Sequence, residues 1–302
     1  MRTEREARSR GLGSNALASS IILVCRKRQT NAPTATRRQF ITALKAELPI
    51  ALKNLQHGNI APVDLAQAAI GPGMSVYTRY AKVLDAEGKP VPVREALTLI
   101  NQTLDEALAE QEGDFDADSR WALAWFEQMG FNDGPYGEAE ILSKAKNTSV
   151  KGLEDSGILK QGGGKVRLLS PADLPSDWNP EGKKRGNRSE EIVSGGEDSG
   201  HPELNSHSSQ LTAWAVVHHL IRVLESGGES AAAALVAKLG VKAEIARELA
   251  YRLYVLCERK KRTAEALAYN GLVQSWPEIT RLARETSSKQ TSTPTTGDLF
   301  DE

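Results

Sequence analysis

The sequence is short of aromatic rings, cysteine and long apolar runs, and each shortage narrows what it can be. Aromatics make up 5% of the chain, so a core drawn from Ala, Leu, Val and Ile points to packed helices. Two cysteines, Cys25 and Cys257, cannot make a four-ligand zinc site on their own and form no disulfide framework. No uninterrupted apolar run approaches the roughly 18 residues of a membrane span. A basic field is lacking too: 38 Lys and Arg stand against 39 Asp and Glu, so any hold on nucleic acid has to be local. The charged start MRTEREARSR precedes no signal-type core, and its acids argue against a transit peptide, so a reducing, cytoplasmic setting is expected. GxGxxG, Walker A, HExxH and GxSxG patterns are all missing.

What is present suffices for a core. The 302 residues suggest about two domains, and 40% hydrophobic content excludes a wholly disordered chain. The first 45 residues are basic, with ten Lys or Arg against Glu4 and Glu6. Within them Ser19–Cys25 is a β-rich apolar run that suits a buried strand. A helical stripe follows at Phe40, Ile41, Leu44, Leu48, Leu52 and Leu55, with Pro49 predicting a kink or a split. A second helix is expected over 63–70, stopped by Gly71-Pro72-Gly73. Residues 81–93 read as a hairpin or extended segment. Leu97, Ile100, Leu104 and Leu108 mark another helix, ending in seven acids between Asp105 and Asp118 without one base.

Residues 117–170 carry three helical stretches (to Gly130, Tyr136–Lys146, Ser149–Asp155) and then a hairpin tipped by Gly162-Gly163-Gly164. That is the order of a winged helix. Residues 171–210 are polar and predict a disordered linker. Helices return with Leu211, Trp214, Val217, Ile221 and Leu224, an Ala-rich stretch over 229–239, then Ile245, Leu249, Leu253 and Leu256. A fourth carries Ala264, Leu267, Ala268 and Leu272, closed by Trp276-Pro277, before a short helix over 278–284 and a disordered tail from 286. The fold class expected is mainly α: a residual N-terminal strand in 1–35, a helical region in 36–116, a winged-helix-like module in 117–170 and a helical bundle in 211–285.

Few side chains suggest chemistry. His57, His201, His207, His218 and His219 lack metal-ligand spacing, and the adjacent His218 and His219 point about 100° apart on a helix. Asp133-Gly134-Pro135-Tyr136 approaches the Asp-Pro-Pro-aromatic motif of amino-methylating DNA enzymes, but a Gly replaces the first Pro and the motif joins two helices, so a turn before a helix is the favoured reading. Gly71-Pro72-Gly73 reads as a helix stop rather than a phosphate loop. The run Glu258–Arg262 is either a solvated turn or a phosphate patch. On the winged-helix segment, Lys144, Lys146, Asn147, Thr148, Ser149 and Lys151 cluster around the third helix, and Lys165 and Arg167 lie on the wing, all suited to phosphate contact. Arg26, Lys27 and Arg28, with Arg37 and Arg38, form a competing basic patch.

Longer stretches are familiar as a set. SNALASSIILVCRKR (14–28), AIGPGMSVYTRYAKVLD (69–85), VREALTLIN (93–101), DFDADSRWALAWFEQMGF (114–131), AKNTSVKGLEDSGIL (145–159), GGKVRLL (163–169), HHLIRVLESGG (218–228), ARELAYRLYVLCERKKR (246–262) and YNGLVQSWPEI (269–279) together resemble the C-terminal half of the adenine-specific DNA methylases that contain a Zn-ribbon. The resemblance implies an S-adenosylmethionine-dependent DNA methyltransferase whose cofactor loop and Asp-Pro-Pro-Tyr motif lie upstream of the matching segment. Neither occurs in this sequence, so no catalytic, cofactor-binding or metal residue carries over. Ser19–Cys25 resembles the last strand of the catalytic domain, and 171–210 looks like an insertion. The expected role is DNA engagement or target positioning beside an N-terminal methyltransferase portion, with the chain alone inactive. The alternative is a helical adaptor of a restriction or phage-defence system, which the acidic run 105–118 favours.

Overall fold

The structure is a computed structural model that describes residues 24–174, 178 and 211–291. Strand β1 (Thr34–Thr36) leads directly into α1 (Arg37–His57). A capping box starts this helix: Thr36 Oγ1 accepts the Gln39 amide at 3.2 Å, and Gln39 Oε1 accepts the Thr36 amide at 2.8 Å. Its buried stripe of Phe40, Leu44, Leu48 and Leu52 packs on α2 (Pro62–Thr78) and α3 (Val93–Glu110). Between those two helices, β2 (Lys82–Leu84) pairs parallel with β1, Thr34 opposite Lys82. It then turns back through a tight loop, the Val91 amide bonding Val83 O at 2.8 Å, which fits the hairpin expected over 81–93.

Two expected breaks do not occur here. Helix α1 runs unbroken through Pro49. The proline withholds one amide from the Lys45 carbonyl, but Leu48 and Leu52 beside it are buried, and that packing outweighs the local cost. Gly71-Pro72-Gly73 does not stop α2, which continues to Thr78. A Cβ at Gly73 would lie 2.5 Å from Ile100 Cγ2, so the glycine lets α2 and α3 approach closely. The strand expected over Ser19–Cys25 falls mostly outside the described residues. Ser19–Leu23 lie outside the described residues, Val24 and Cys25 are exposed without strand structure, and the N-terminal strand present is Thr34–Thr36.

The second unit has winged-helix topology: α4 (Ala117–Met129), β3 (Gly134–Pro135), α5 (Tyr136–Ala145), α6 (Val150–Asp155), β4 (Leu159–Gly162) and β5 (Lys165–Leu168). The three strands form an antiparallel sheet ordered β3-β5-β4. Gly163 and Gly164, with φ of 57° and 73°, make the two-residue turn at the wing tip. The sheet packs on a core containing Trp121, Trp125 and Phe126, the two tryptophans stacked at 5.3 Å.

The third unit is a bundle of α7 (Ala213–Leu239), α8 (Val241–Lys260) and α9 (Thr263–Thr291). Gly228, at φ 69° and ψ −170°, divides α7 at the place where the sequence changes to its Ala-rich stretch. Pro277 does not close the last helix, because the buried stripe continues from Trp276 to Ile279 across it. Helix α9 reaches Thr291, past the point from which a disordered tail was expected. The chain is likewise ordered beyond 170: Pro171–Asp173 form a 3-10 turn whose Pro171 and Ala172 carbonyls accept from Arg222 at 3.0 and 3.1 Å. Trp178 stacks on His219 with 3.9 Å between ring centroids. The remainder of the expected linker, 175–177 and 179–210, lies outside the described residues, as do 1–23 and 292–302.

Polar pins join the units. Asn270 Oδ1 on α9 accepts the Val63 amide at the start of α2 (3.1 Å), and the Tyr251 hydroxyl on α8 donates to Ile60 O (2.6 Å). Phe126 and Phe131 of the winged-helix unit meet Trp214, His218 and Tyr269 of the bundle in one ring cluster. Among the described residues, no helix is long and apolar enough to cross a membrane.

Candidate nucleic-acid interface

The third helix and wing of the second unit are held by short local devices. Ser149 caps α6, its Oγ accepting the Gly152 amide at 3.0 Å, and Thr148 Oγ1 donates to Asp118 on α4. Asn147 takes a left-handed φ of 57° at the turn between α5 and α6. The hydroxyls and amide-rich turn that the sequence offered for phosphate are therefore largely engaged in closing the module.

Four of its cations are paired with acids, while Lys146 and the exposed Lys160 have no ion pair among the described residues. Lys144 pairs with Glu140 at 3.1 Å, and Lys151 with Asp155 at 2.6 Å and Glu154 at 3.5 Å. Lys165 faces Asp133 at 3.7 Å, and Arg167 faces Asp173 at 3.3 Å. The hydrogen bond and charge of Asp155 raise the Lys151 pKa. Hydrogen bonds from Ser170, with the nearby charge of Arg167, lower that of Asp173. Such exposed pairs contribute little to stability, and a phosphate can compete with the acid for the cation. Lys146 is half-buried at the end of α5. Over residues 117–174, seven bases meet eight acids, so the module presents no net positive charge.

Asp133-Gly134-Pro135-Tyr136 is accounted for by the fold. Gly134 and Pro135 are β3, opposite Val166 and Lys165, and the Tyr136 amide bonds Gly164 O at 2.9 Å. A Cβ at Gly134 would come within 2.5 Å of Trp125 Cζ2, so the strand passes the ring only as glycine. The other motifs also resolve into structure. Gly71 and Gly73 sit inside a helix, and Gly162–Gly164 form the tip of a hairpin. His218 and His219 are buried apart from each other's partners, and among the described residues no group of three or more His, Cys, Asp or Glu could hold a metal. In the run Glu258–Arg262, Arg262 is structural: it donates to the Phe126 and Glu127 carbonyls at the end of α4, and Arg259 faces Asp105 at 3.8 Å.

Four of the seven acids of the run have structural partners. Glu106 pairs with Lys45 at 2.9 Å, Asp105 faces Arg259, Asp116 caps helices and Asp118 accepts from Thr148. At the N-terminal patch, Arg28 donates to Thr78 O, the last carbonyl of α2, at 3.4 Å and to Tyr80 O just past it at 2.8 Å, and Arg26, Lys27 and Arg28 are all exposed. Arg37 pairs with Glu95 on α3 at 2.9 Å. Sequence reasoning missed the neighbours of this patch, because Lys82, Lys89 and Arg94 come from separate segments and carry no local motif.

The fold defines a class: a winged-helix unit fixed to a three-helix bundle and a helical N-terminal layer. The family model described as Domain of unknown function (DUF8807) matches residues 116–192 and 201–298, and the chain belongs to that family. No curated protein and no solved structure matches the chain.

Proposed function

We propose that this chain is the DNA-engaging, target-positioning portion of an S-adenosylmethionine-dependent, adenine-specific DNA methyltransferase in the cytoplasm. A separate catalytic portion supplies the cofactor loop and the Asp-Pro-Pro-Tyr motif. The observation that carries the reading is the winged-helix topology, a fold that can present a helix and a wing to a duplex. The methylase resemblance over most of the chain supports it. The chain's task is then to hold duplex and present the target base, without chemistry of its own.

The ion pairing of Lys144, Lys151, Lys165 and Arg167 favours a second reading, a helical adaptor that binds a protein partner of a restriction or phage-defence system. Fluorescence anisotropy with a labelled duplex at about 50 mM salt separates the two, since phosphate contacts are strongest there. Binding that weakens steeply with salt supports the DNA portion. No binding at that salt leaves the adaptor. Calorimetry with S-adenosylmethionine is expected to show no heat of binding, and a micromolar complex would overturn the division of labour.

A further inference from the structure

Among the described residues, the winged-helix unit leaves few lysines without an ion pair, Lys146 and the exposed Lys160, whereas a larger group of unpaired cations lies in the N-terminal part of the chain. Residues 24–38 and 79–95 together hold nine bases against three acids. Four contacts bring these segments to one end of the N-terminal layer. Arg28 reaches the Tyr80 carbonyl, the Ala81 amide bonds Pro33 O at 2.8 Å, β1 pairs with β2, and Arg37 bonds Glu95. Arg28, Arg37 and Arg79 are engaged in holding this corner, Arg79 by a two-pronged bond to Glu47 at 2.6 and 2.8 Å. Arg26, Lys27, Arg38, Lys82, Lys89 and Arg94 are exposed, and among the described residues none has an ion-pair partner.

Six unpaired cations on segments held together by these contacts outnumber the nearby Asp85 and Glu87, and this net positive charge is electrostatically unfavourable for the isolated fold because like charges repel at short range. Arg37 and Arg38 add to this by occupying the first turn of α1, where no acid balances the helix dipole. A surface of this kind gains when it meets a polymer of regularly spaced negative charge. We infer that this corner, which lies outside the family match, is the main phosphate-backbone contact of the chain with duplex DNA, while the winged-helix face is secondary. The inference rests on the DNA reading above and names its surface. The contacts are to phosphates, so binding there is sequence-tolerant and falls with salt.

The test uses the full chain, a labelled duplex of about 25 base pairs and salt from about 50 to 200 mM. One variant carries Arg38→Glu, Lys82→Glu and Arg94→Glu; another carries Lys144→Glu, Lys151→Glu and Lys165→Glu. The first should weaken binding at least about 10-fold and flatten the log–log salt slope by about 2 to 3, for three lost contacts. The second should cost less than about threefold. Thermal melts check folding, and Lys82→Gln with Lys89→Gln and Arg94→Gln is the milder set if the first unfolds. If the winged-helix set removes binding and the corner set does not, this inference falls while the DNA reading stands. If the wild type binds no duplex, both fall. Displacement of the duplex by polyglutamate at equal charge would also overturn it, in favour of an acidic protein partner.

Discussion

The carboxylate of Asp116 accepts the backbone amide of Ala213 at 2.9 Å, across 97 residues of sequence. The same side chain caps its own helix, its Oδ1 accepting the Ser119 amide at 2.8 Å. Ser119 completes the exchange: its Oγ donates to Asp116 Oδ2 at 2.7 Å and accepts the Trp214 amide at 2.9 Å. Two side chains thus satisfy free amides at the start of both α4 and α7. The winged-helix unit and the bundle are joined at their helix origins. The family match begins at this residue, and its two matched segments meet there in space.

Asp116→Ala should therefore cost more than an ordinary cap, about 2–3 kcal/mol against about 1 for a single one. Asp116→Asn keeps one oxygen and should fall between. Urea unfolding measures both. A loss of less than about 1 kcal/mol for the alanine variant would mean that the link to α7 contributes nothing to stability.

This link shows where the sequence is readable and where it is not. Helices with regular apolar spacing, the three-helix-and-hairpin order, and the change of character near Gly228 are local signals, and they predict the elements found. The glycine-proline punctuation misleads at Pro49, Gly71–Gly73 and Pro277. There, burial of Leu48, Ile100 and Ile279 by other segments overrides the local preference. The candidate cations were legible as residues, but their ion pairs were not. Glu140, Glu154 and Asp155 lie near in sequence, yet Asp133 meets Lys165 only when β3 pairs with β5.

Acid should loosen the bundle through its two buried histidines. His218 lies between the Trp214 carbonyl at Nδ1 (2.8 Å) and the Tyr269 hydroxyl at Nε2 (2.9 Å). The carbonyl accepts only, so Nδ1 carries the proton and the ring is neutral. Burial pulls its pKa down to about 4, and burial with neighbouring charge pulls His219 to about 3. Both folded values lie below the ordinary 6.5, so protonation favours the unfolded chain. The contribution is complete above pH 6.5 and is lost as pH falls toward 4, at about 1.4 kcal/mol per pH unit for each ring. His219→Phe, which keeps a ring against Trp178, should roughly halve the loss of stability between pH 6.5 and 5. Superimposable pH profiles for variant and wild type would refute this.

Gly73→Ala separates the two readings of the Gly71-Pro72-Gly73 stretch. At a helix stop in open solvent, alanine would be neutral or worse only through the turn. Inside α2, alanine gains about 1 kcal/mol of helix propensity but drives a methyl into Ile100. Ile100 is fully buried and cannot swing aside, so a net loss of about 1–3 kcal/mol is expected from overpacking. Adding Ile100→Ala removes the clash, so in that background Gly73→Ala should stabilise by up to about 1 kcal/mol. A Gly73→Ala chain as stable as wild type would show that the close approach of α2 and α3 is not required.

Arg262 should behave as a structural residue although its neighbours read as a solvated basic run. Lys261 takes a left-handed φ of 57° after α8 and turns the chain, so that the next side chain returns to the end of α4. There the guanidinium donates to the Phe126 and Glu127 carbonyls and lies 4.9 Å from the Phe126 ring centroid. These carbonyls belong to the last turn of α4, where a cation also meets the negative end of the helix dipole. Arg262→Met should cost about 1.5–3 kcal/mol, the range for hydrogen bonds to a charged group. Arg262→Lys keeps the charge but loses the fork, and should recover less than half. Arg259→Met is the control, since its contact with Asp105 is long and exposed and should be worth less than about 1 kcal/mol. Equal losses for Arg262→Met and Arg259→Met in urea unfolding would return Arg262 to the solvated surface. A selective loss, with faster hydrogen exchange at the Gly130 amide that closes α4 on Phe126 O, would place it in the joint between the winged-helix unit and the bundle.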